Sequence, residues 1–203
     1  MGNAGIGQRS LFGREEPRCD LGFESLERTS LAHGAWIELA RGWLSGHAAL
    51  FDHLESSIAW RSEDRMMYQR RVDVPRLYAM VPQTARHPAL VAMQRALDAR
   101  YRTTFDRLSL ALYRDGRDSV AWHGDYVARE LLEDTLVATV SVGSPRKFFL
   151  KPAEGGRSIS FTLGFGDLLV MGGSIQRTYK HCVPKVASAA PRIAIMYRPT
   201  FEE

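Results

Sequence analysis

Trp122-His123-Gly124-Asp125 sets an imidazole and a carboxylate two positions apart. In an extended segment such residues project to the same side, so both can reach one ion. A second imidazole, His181, stands in Tyr179-Lys180-His181-Cys182-Val183-Pro184, beyond the apolar run Asp167–Met171. Two imidazoles and one carboxylate on one face of a metal are the ligand set of non-haem iron(II) oxygenases, which keep positions open for a chelating co-substrate and for oxygen. A His-x-Asp tripeptide alone is weak evidence, because two polar loop residues that only bond their neighbours give the same pattern.

Arg192-Ile193-Ala194-Ile195-Met196-Tyr197-Arg198 strengthens it. Its two arginines share a face of a strand whose other residues are apolar, and a guanidinium inside a sheet needs a counter-charge, since an unpaired buried ion is strongly unfavourable. A bound dicarboxylate would supply one. The competing reading places both arginines at an exposed edge or against carboxylates of the protein. Upstream, Arg61, Arg65, Arg70, Arg71 and Arg76 interleave with Trp60, Tyr68 and Tyr78. Guanidinium groups engage phosphates and aromatic rings stack on bases. Alternatively these arginines form a solvated face with Glu63, Asp64 and Asp73, and Trp60 closes a helix into the core. Trp122 reads as a packing residue beside the site, Cys182 as a small packing residue, and His33, His47, His53 and His87 as ordinary histidines. Gly172-Gly173-Ser174 reads as a turn and not a phosphate loop, because no helical pattern follows it.

These residues need a scaffold. Residues 1–21 are rich in Gly, Arg and Glu without periodicity and are expected to form a flexible leader. From Leu31 to Trp60 the pattern turns helical, with Leu50, Leu54 and Ile58 recurring every four residues and Ser45-Gly46 placed to start a helix. Pro88 to Tyr101 predicts a second helix, with Pro in the first turn and Leu90, Met93, Leu97 and Tyr101 on one face. Met66–Met80 has no clean period. After Thr103 short alternating or apolar segments take over: Leu108–Leu112, Thr135–Val142, Arg146–Lys151, Ser158–Leu163, Asp167–Met171 and Arg192–Tyr197, parted by Gly, Pro and Ser turns. The chain is therefore expected to be mainly β, a sandwich or jelly roll whose flanking helices support one sheet.

At 203 residues, 45% hydrophobic and 25% charged, the chain has the size and composition of one globular domain, expected over 22–203. No run approaches the roughly 18 apolar residues of a membrane span. The first 20 residues lack the apolar block of a secretory signal, and two cysteines support no disulfide framework, so a cytoplasmic, monomeric protein is expected. A net charge of +4 and a pI near 9.3 modestly favour polyanionic partners.

The segment from Tyr113 to Arg198 resembles the AlkB family of nucleic-acid demethylases among the iron(II)- and 2-oxoglutarate-dependent dioxygenases. The matching pieces are Leu112-Tyr113-Arg114-Asp115-Gly116, Asp118 to Asp125, Val140-Ser141-Val142-Gly143 with Arg146-Lys147-Phe148, Gly166 to Met171, Tyr179-Lys180-His181 and Arg192 to Arg198. Pro75-Arg76-Leu77-Tyr78 resembles the stretch that borders the substrate lid, so residues 60–80 are expected to contribute a recognition lid. The resemblance implies a double-stranded β-helix (jelly-roll) core supported by N-terminal helices. It makes His123, Asp125 and His181 the Fe(II) ligands. Arg192 would hold the distal carboxylate of 2-oxoglutarate with help from the Tyr113 hydroxyl, and Arg198 would sit beside Asp125. Arg70, Arg71, Arg76, Tyr78 and Tyr126 become the substrate-binding candidates.

The implied reaction consumes O2 and 2-oxoglutarate, hydroxylates a methyl group on a damaged base nitrogen in DNA or RNA, and releases succinate and formaldehyde. A base must leave its stack to react, which is easiest in single strands or damaged pairs. Two positions that are often Asn in the family are Ala111 and Ala194 here, which leaves fewer polar contacts to 2-oxoglutarate. Tyr126 stands where relatives place an acidic residue that contacts the base, with Arg129 or Glu130 as substitutes. Two rivals stay open: the same oxygenase chemistry on a protein or small molecule, and a nucleic-acid-binding module with a vestigial metal site.

Overall fold

Alternation with period two decides what each face of the main sheet does. In β7 (Arg107–Tyr113) Leu108, Leu110 and Leu112 join one apolar cluster, while Ala111 and Tyr113 join another on the opposite face. In β14 (Arg192–Arg198) Ile193, Ile195 and Tyr197 go to the first face, and Arg192, Ala194, Met196 and Arg198 line a pocket on the second. β9 (Val137–Gly143) and β12 (Asp167–Gly172) follow the same rule, with Val140, Val142, Leu168 and Val170 on the first face. The sheet thus has a mainly apolar side, broken by the buried Glu38, and a side that carries chemistry.

The computed structural model describes residues 15–67, 70–125 and 134–200, with 63–67 and 70–74 described by backbone alone. The larger sheet runs β2 (Leu26–Ser30), β3 (Trp36–Ala40), β12, β9, β14, β7, β6 (Arg70–Met80), β5 (Arg61–Met67). The smaller runs β11 (Ile159–Leu163), β10 (Arg146–Pro152), β13 (Tyr179–Val183), β8 (Val120–His123). Every pairing is antiparallel. The two sheets enclose the second cluster, Val120, Val137, Phe148, Leu150, Leu169, Met171 and Tyr179 among it, which is the jelly-roll sandwich the strand spacing predicts.

Helices α1 (His47–Ser57) and α2 (Pro88–Tyr101) cover the apolar face with Leu50, Leu54, Leu90, Met93 and Leu97, each at most 1% exposed. Burying each such side chain stabilises the fold by roughly 1.5–3 kcal/mol. α2 has the expected bounds: Pro88 needs no amide donor in the first turn, and His87 Nδ1 accepts the Ala89 N–H at 3.1 Å. The expected helical stretch from Leu31 to Trp60 is α-helical only over His47–Ser57, with a 3-10 turn at Ala32–Gly34. Trp36–Ala40 is instead a strand between β2 and β12, because its residues alternate between the two clusters and pair on both sides. In Met66–Met80, which shows no period in the sequence, Met66 and Met67 end β5 and Arg70–Met80 is β6, and pairing of Leu77–Met80 with β7 joins the two strands to the main sheet.

Within the expected leader, β1 (Arg18–Cys19) pairs with β4 (Leu44–Ser45), and Trp43 Nε1 donates to the Asp20 carbonyl at 2.8 Å. The packed structure therefore starts ahead of residue 22; residues 1–14 lie outside the described residues. No described helix is long and apolar enough to cross a membrane.

Candidate active site

β8 is an edge strand of the smaller sheet, and its pairing with β13 puts His123 directly opposite His181. The two rings are 4.3 Å apart between centroids. Asp125 follows two residues after His123, and the ligand atoms of all three lie within 4.8 Å of one another. His123 Nδ1 sits 2.8 Å from the Ala121 carbonyl oxygen, so Nδ1 carries the hydrogen and Nε2 the lone pair that a metal takes. The Phe148 ring stacks on His181 at 5.3 Å. Burial, with the neighbouring charge of His123, pushes His181 down to about 3, which keeps the imidazole in its neutral, metal-ligating form. Burial alone would raise the Asp125 carboxyl. Arg198, His181 and His123 together outweigh it and hold that carboxyl well below the usual range.

Two contacts fix Asp125. Arg198 Nε donates to Asp125 Oδ2 at 2.7 Å, while its Nη1 donates to Ser109 Oγ at 2.9 Å. The Asp125 amide donates to Gln176 Oε1 at 3.0 Å. Gln176 is 2% exposed and belongs to the short helical turn Ile175–Thr178 that leads into β13. The same turn reaches residues on the far side of the connection that follows Asp125: Thr135 N–H donates to the Gly173 carbonyl and Arg177 pairs with Asp134 at 2.8 Å.

At the floor of the same pocket, Arg192 is 1% exposed. Its Nη2 donates to Ser141 Oγ at 2.7 Å, and Nε and Nη1 have no hydrogen-bond partner among the described residues. Gly143 stands opposite Arg192 with φ +83°, and a Cβ there would come within 2.7 Å of the Pro191 carbonyl oxygen, so only glycine suits the strand end that presents this arginine. Arg76, Arg146 and Arg192 surround the Tyr113 ring at 6.0, 5.6 and 5.3 Å. Arg146 Nη1 donates to the Asp115 carbonyl and its Nη2 to the carbonyls of Asp118 and Pro184, and Arg76 Nη1 donates to the Tyr113 hydroxyl at 3.1 Å. No carboxylate pairs with Arg192 among the described residues, which leaves a buried cation with two unused donors facing a cavity of about 280 Å3. A carboxylate is the group that such a position lacks.

Tyr113, Arg192, Arg198, Arg76 and Tyr78 all line the pocket with the three clustered residues. Ala111 and Ala194 are direct cross-strand partners. The side chains of Arg65, Arg70 and Arg71, and all of Tyr68, Tyr126, Arg129 and Glu130, lie outside the described residues. Trp122 departs from its expected packing role: adjacent strand residues face opposite ways, so with His123 turned inward Trp122 is turned outward and is 38% exposed. The turn Gly172-Gly173-Ser174 is followed by a helical turn after all, although that turn is only four residues long. Sequence reasoning missed Ser109, Ser141 and Gln176. The first two show as polar residues in apolar strands; Gln176 carries no signal in its neighbours.

The family model of the 2OG-Fe(II) oxygenase superfamily matches residues 53–198. The human alpha-ketoglutarate-dependent dioxygenase alkB homolog 3 is 30% identical over 155 residues, 71% of this chain and 51% of that protein. The DNA oxidative demethylase ALKBH2 of Arabidopsis thaliana is 29% identical over 219 residues, covering 86% of this chain and 69% of the relative. The chain spans about half the length of the human and mouse homologues it matches and 62% of the bovine one. The solved structure of OsALKBH1 superimposes with a TM-score of 0.55 at 14% identity, over 86% of this chain and 100% of that one, and so shares the fold. Family match, fold and the His-Asp-His cluster agree: this chain belongs to the 2OG-Fe(II) oxygenase superfamily.

Proposed function

We propose that this chain oxidatively demethylates alkylated bases in nucleic acid, DNA or RNA, on a single strand or a flipped base. The observation that carries the reading is one pocket holding the imidazole–carboxylate cluster, an unneutralised buried arginine and an aromatic-apolar mouth. The names of the relatives, alkB homolog 3 and a DNA oxidative demethylase, support the substrate class.

In this reading His123, Asp125 and His181 hold the metal, and Arg198 and Gln176 keep Asp125 in place. Arg192 takes the far carboxylate of 2-oxoglutarate, while Ser141 accepts from its Nη2. Fe(II) with 2-oxoglutarate and O2 supplies the oxidation of a methyl C–H bond to a hydroxymethyl group, which leaves the base nitrogen as formaldehyde, with succinate and CO2 as co-products. Tyr78, Met80, Leu136, Met196 and Pro199 give the mouth its apolar surface, against which a base can lie once out of its stack. Arg76, Arg70, Arg71 and Tyr126 are the further substrate-side candidates.

The test is formaldehyde and succinate release from anaerobically iron-loaded protein given 2-oxoglutarate, O2 and an oligonucleotide carrying 1-methyladenine or 3-methylcytosine. Both products should appear with the methylated strand and vanish in His123→Ala. Succinate that the methylated strand does not stimulate would move the substrate to a protein or small molecule, and no succinate at all would overturn the enzyme reading.

A further inference from the structure

We infer that the outer face of the smaller sheet binds the single strand of nucleic acid flanking the base in the pocket. This rests on the nucleic-acid reading above and says where the rest of the strand lies. Along β10, Phe148 and Leu150 join the interior cluster, so Lys147, Phe149 and Lys151 face out. On β13, Lys180 lies directly opposite Lys151, and on β8 Trp122 completes the patch. The ring of Trp122 stands 4.2 Å from Lys151 Nζ and 6.5 Å, edge on, from Phe149.

Three features single this face out. Like charges directly opposite each other weaken a sheet, yet Lys151 and Lys180 are cross-strand partners, and no carboxylate pairs with them or with Lys147 among the described residues. A large aromatic residue, Trp122, is left 38% exposed beside Lys151. Lysines that track a backbone beside rings that accept bases are the arrangement by which proteins hold single strands without reading their sequence. The patch spans the three strands β10, β13 and β8, about 10 Å across, and roughly 13 Å from Lys147 to Lys151. It lies on the reverse of the ligand strands: Trp122 adjoins His123 and Lys180 adjoins His181. Among the described residues no strand pairs with the outer edge of β8, and a chain that leaves the pocket over that edge reaches the patch.

The experiment is fluorescence anisotropy of the full chain with an unmodified single-stranded oligonucleotide over a series of salt concentrations. Removing three phosphate contacts in K147Q/K151Q/K180Q should lower the slope of log affinity against log salt by about 2. Trp122→Ala should weaken binding about tenfold. Demethylation of a methylated dinucleotide, too short to reach the patch, should be unchanged in both variants, which also reports their folding, while KM for a long methylated oligonucleotide rises. Wild-type slope and affinity in the variants overturn the inference while leaving the demethylase reading intact. Competition by polyglutamate as strong as by oligonucleotide also overturns it, in favour of an acidic protein partner. A wild-type protein that neither binds the strand nor demethylates it brings down both readings.

Discussion

Arg198 reaches across from β14 to Asp125, its Nε donating to Oδ2 at 2.7 Å, while a second nitrogen holds Ser109. One carboxylate oxygen is thereby committed to the guanidinium and the other is left to face the imidazoles of His123 and His181. Such partners orient a ligand and tune its basicity, and their loss commonly lowers metal affinity about 10–100-fold. Arg198→Met should show a loss of that size in calorimetric titration with Mn2+. Arg198→Lys should recover only part, since an ammonium group cannot reproduce the planar fork that serves Asp125 and Ser109 together. Wild-type affinity in the methionine variant would remove Arg198 from this role.

Gln176 acts on the main chain instead. Its Oε1 accepts the Asp125 amide at 3.0 Å from a turn that continues into the strand bearing His181, so one side chain ties the two ligand segments together. Gln176→Leu keeps the volume and removes the acceptor; Mn2+ affinity should fall roughly tenfold. Gln176→Glu keeps an acceptor and should restore most of it. A purely structural role predicts lower thermal stability in the leucine variant with metal affinity unchanged, and that result would refute the positioning role.

Arg192 is a buried cation whose Nη2 donates to Ser141 and which no carboxylate among the described residues neutralises. Its unpaired charge disfavours the folded state, and the carboxylate proposed to bind there would offset it. Arg192→Met should therefore raise the melting temperature of the protein alone, because replacing an unpaired buried charge with an apolar chain of similar length removes a desolvation penalty. The stabilisation conferred by 2-oxoglutarate with Mn2+, about 2.7 kcal/mol at a hundredfold excess over Kd, should shrink sharply. Differential scanning calorimetry with and without co-substrate checks both signs, and a variant that 2-oxoglutarate stabilises as strongly as wild type would place the carboxylate elsewhere.

Much of this site is legible in the sequence because it is built on period-two alternation. Leu108, Leu110 and Leu112 on one side and Tyr113 on the other predict β7 and its two faces, and Arg192 to Arg198 reads the same way. His-x-Asp followed by a distant His predicts the cluster, but the register that sets His123 opposite His181 comes from long-range pairing and leaves no local trace. The same holds for Trp36–Ala40, whose strand character depends on β2 and β12, and for the cross-strand meeting of Ala111 with Ala194. Gln176 shows the limit most clearly: its partner is 51 positions away, so the reason for a buried glutamine exists only in the folded chain.

The apolar side of the sheet makes a prediction of its own through two tyrosines. Tyr197, fully buried, donates to the Leu90 carbonyl at 2.9 Å, and Tyr101 donates to Glu38 Oε2 at 2.5 Å. Burial pushes both phenols far above their ordinary range, and for Tyr101 the bond to Glu38 adds to it. A raised pKa in the folded state means that the unfolded chain gives up these protons first. The stability they contribute is fully present below the ordinary tyrosine value of about 10 and falls as pH rises beyond it. The urea midpoint should therefore drop steeply between about pH 9.5 and 11.5 in the wild type. In Tyr197→Phe the drop should be shallower, and in the Tyr101→Phe/Tyr197→Phe double variant shallower still, although both variants start lower at neutral pH by about 1 kcal/mol for each hydrogen bond lost. Equal slopes in all three proteins would mean that other groups govern the alkaline limb.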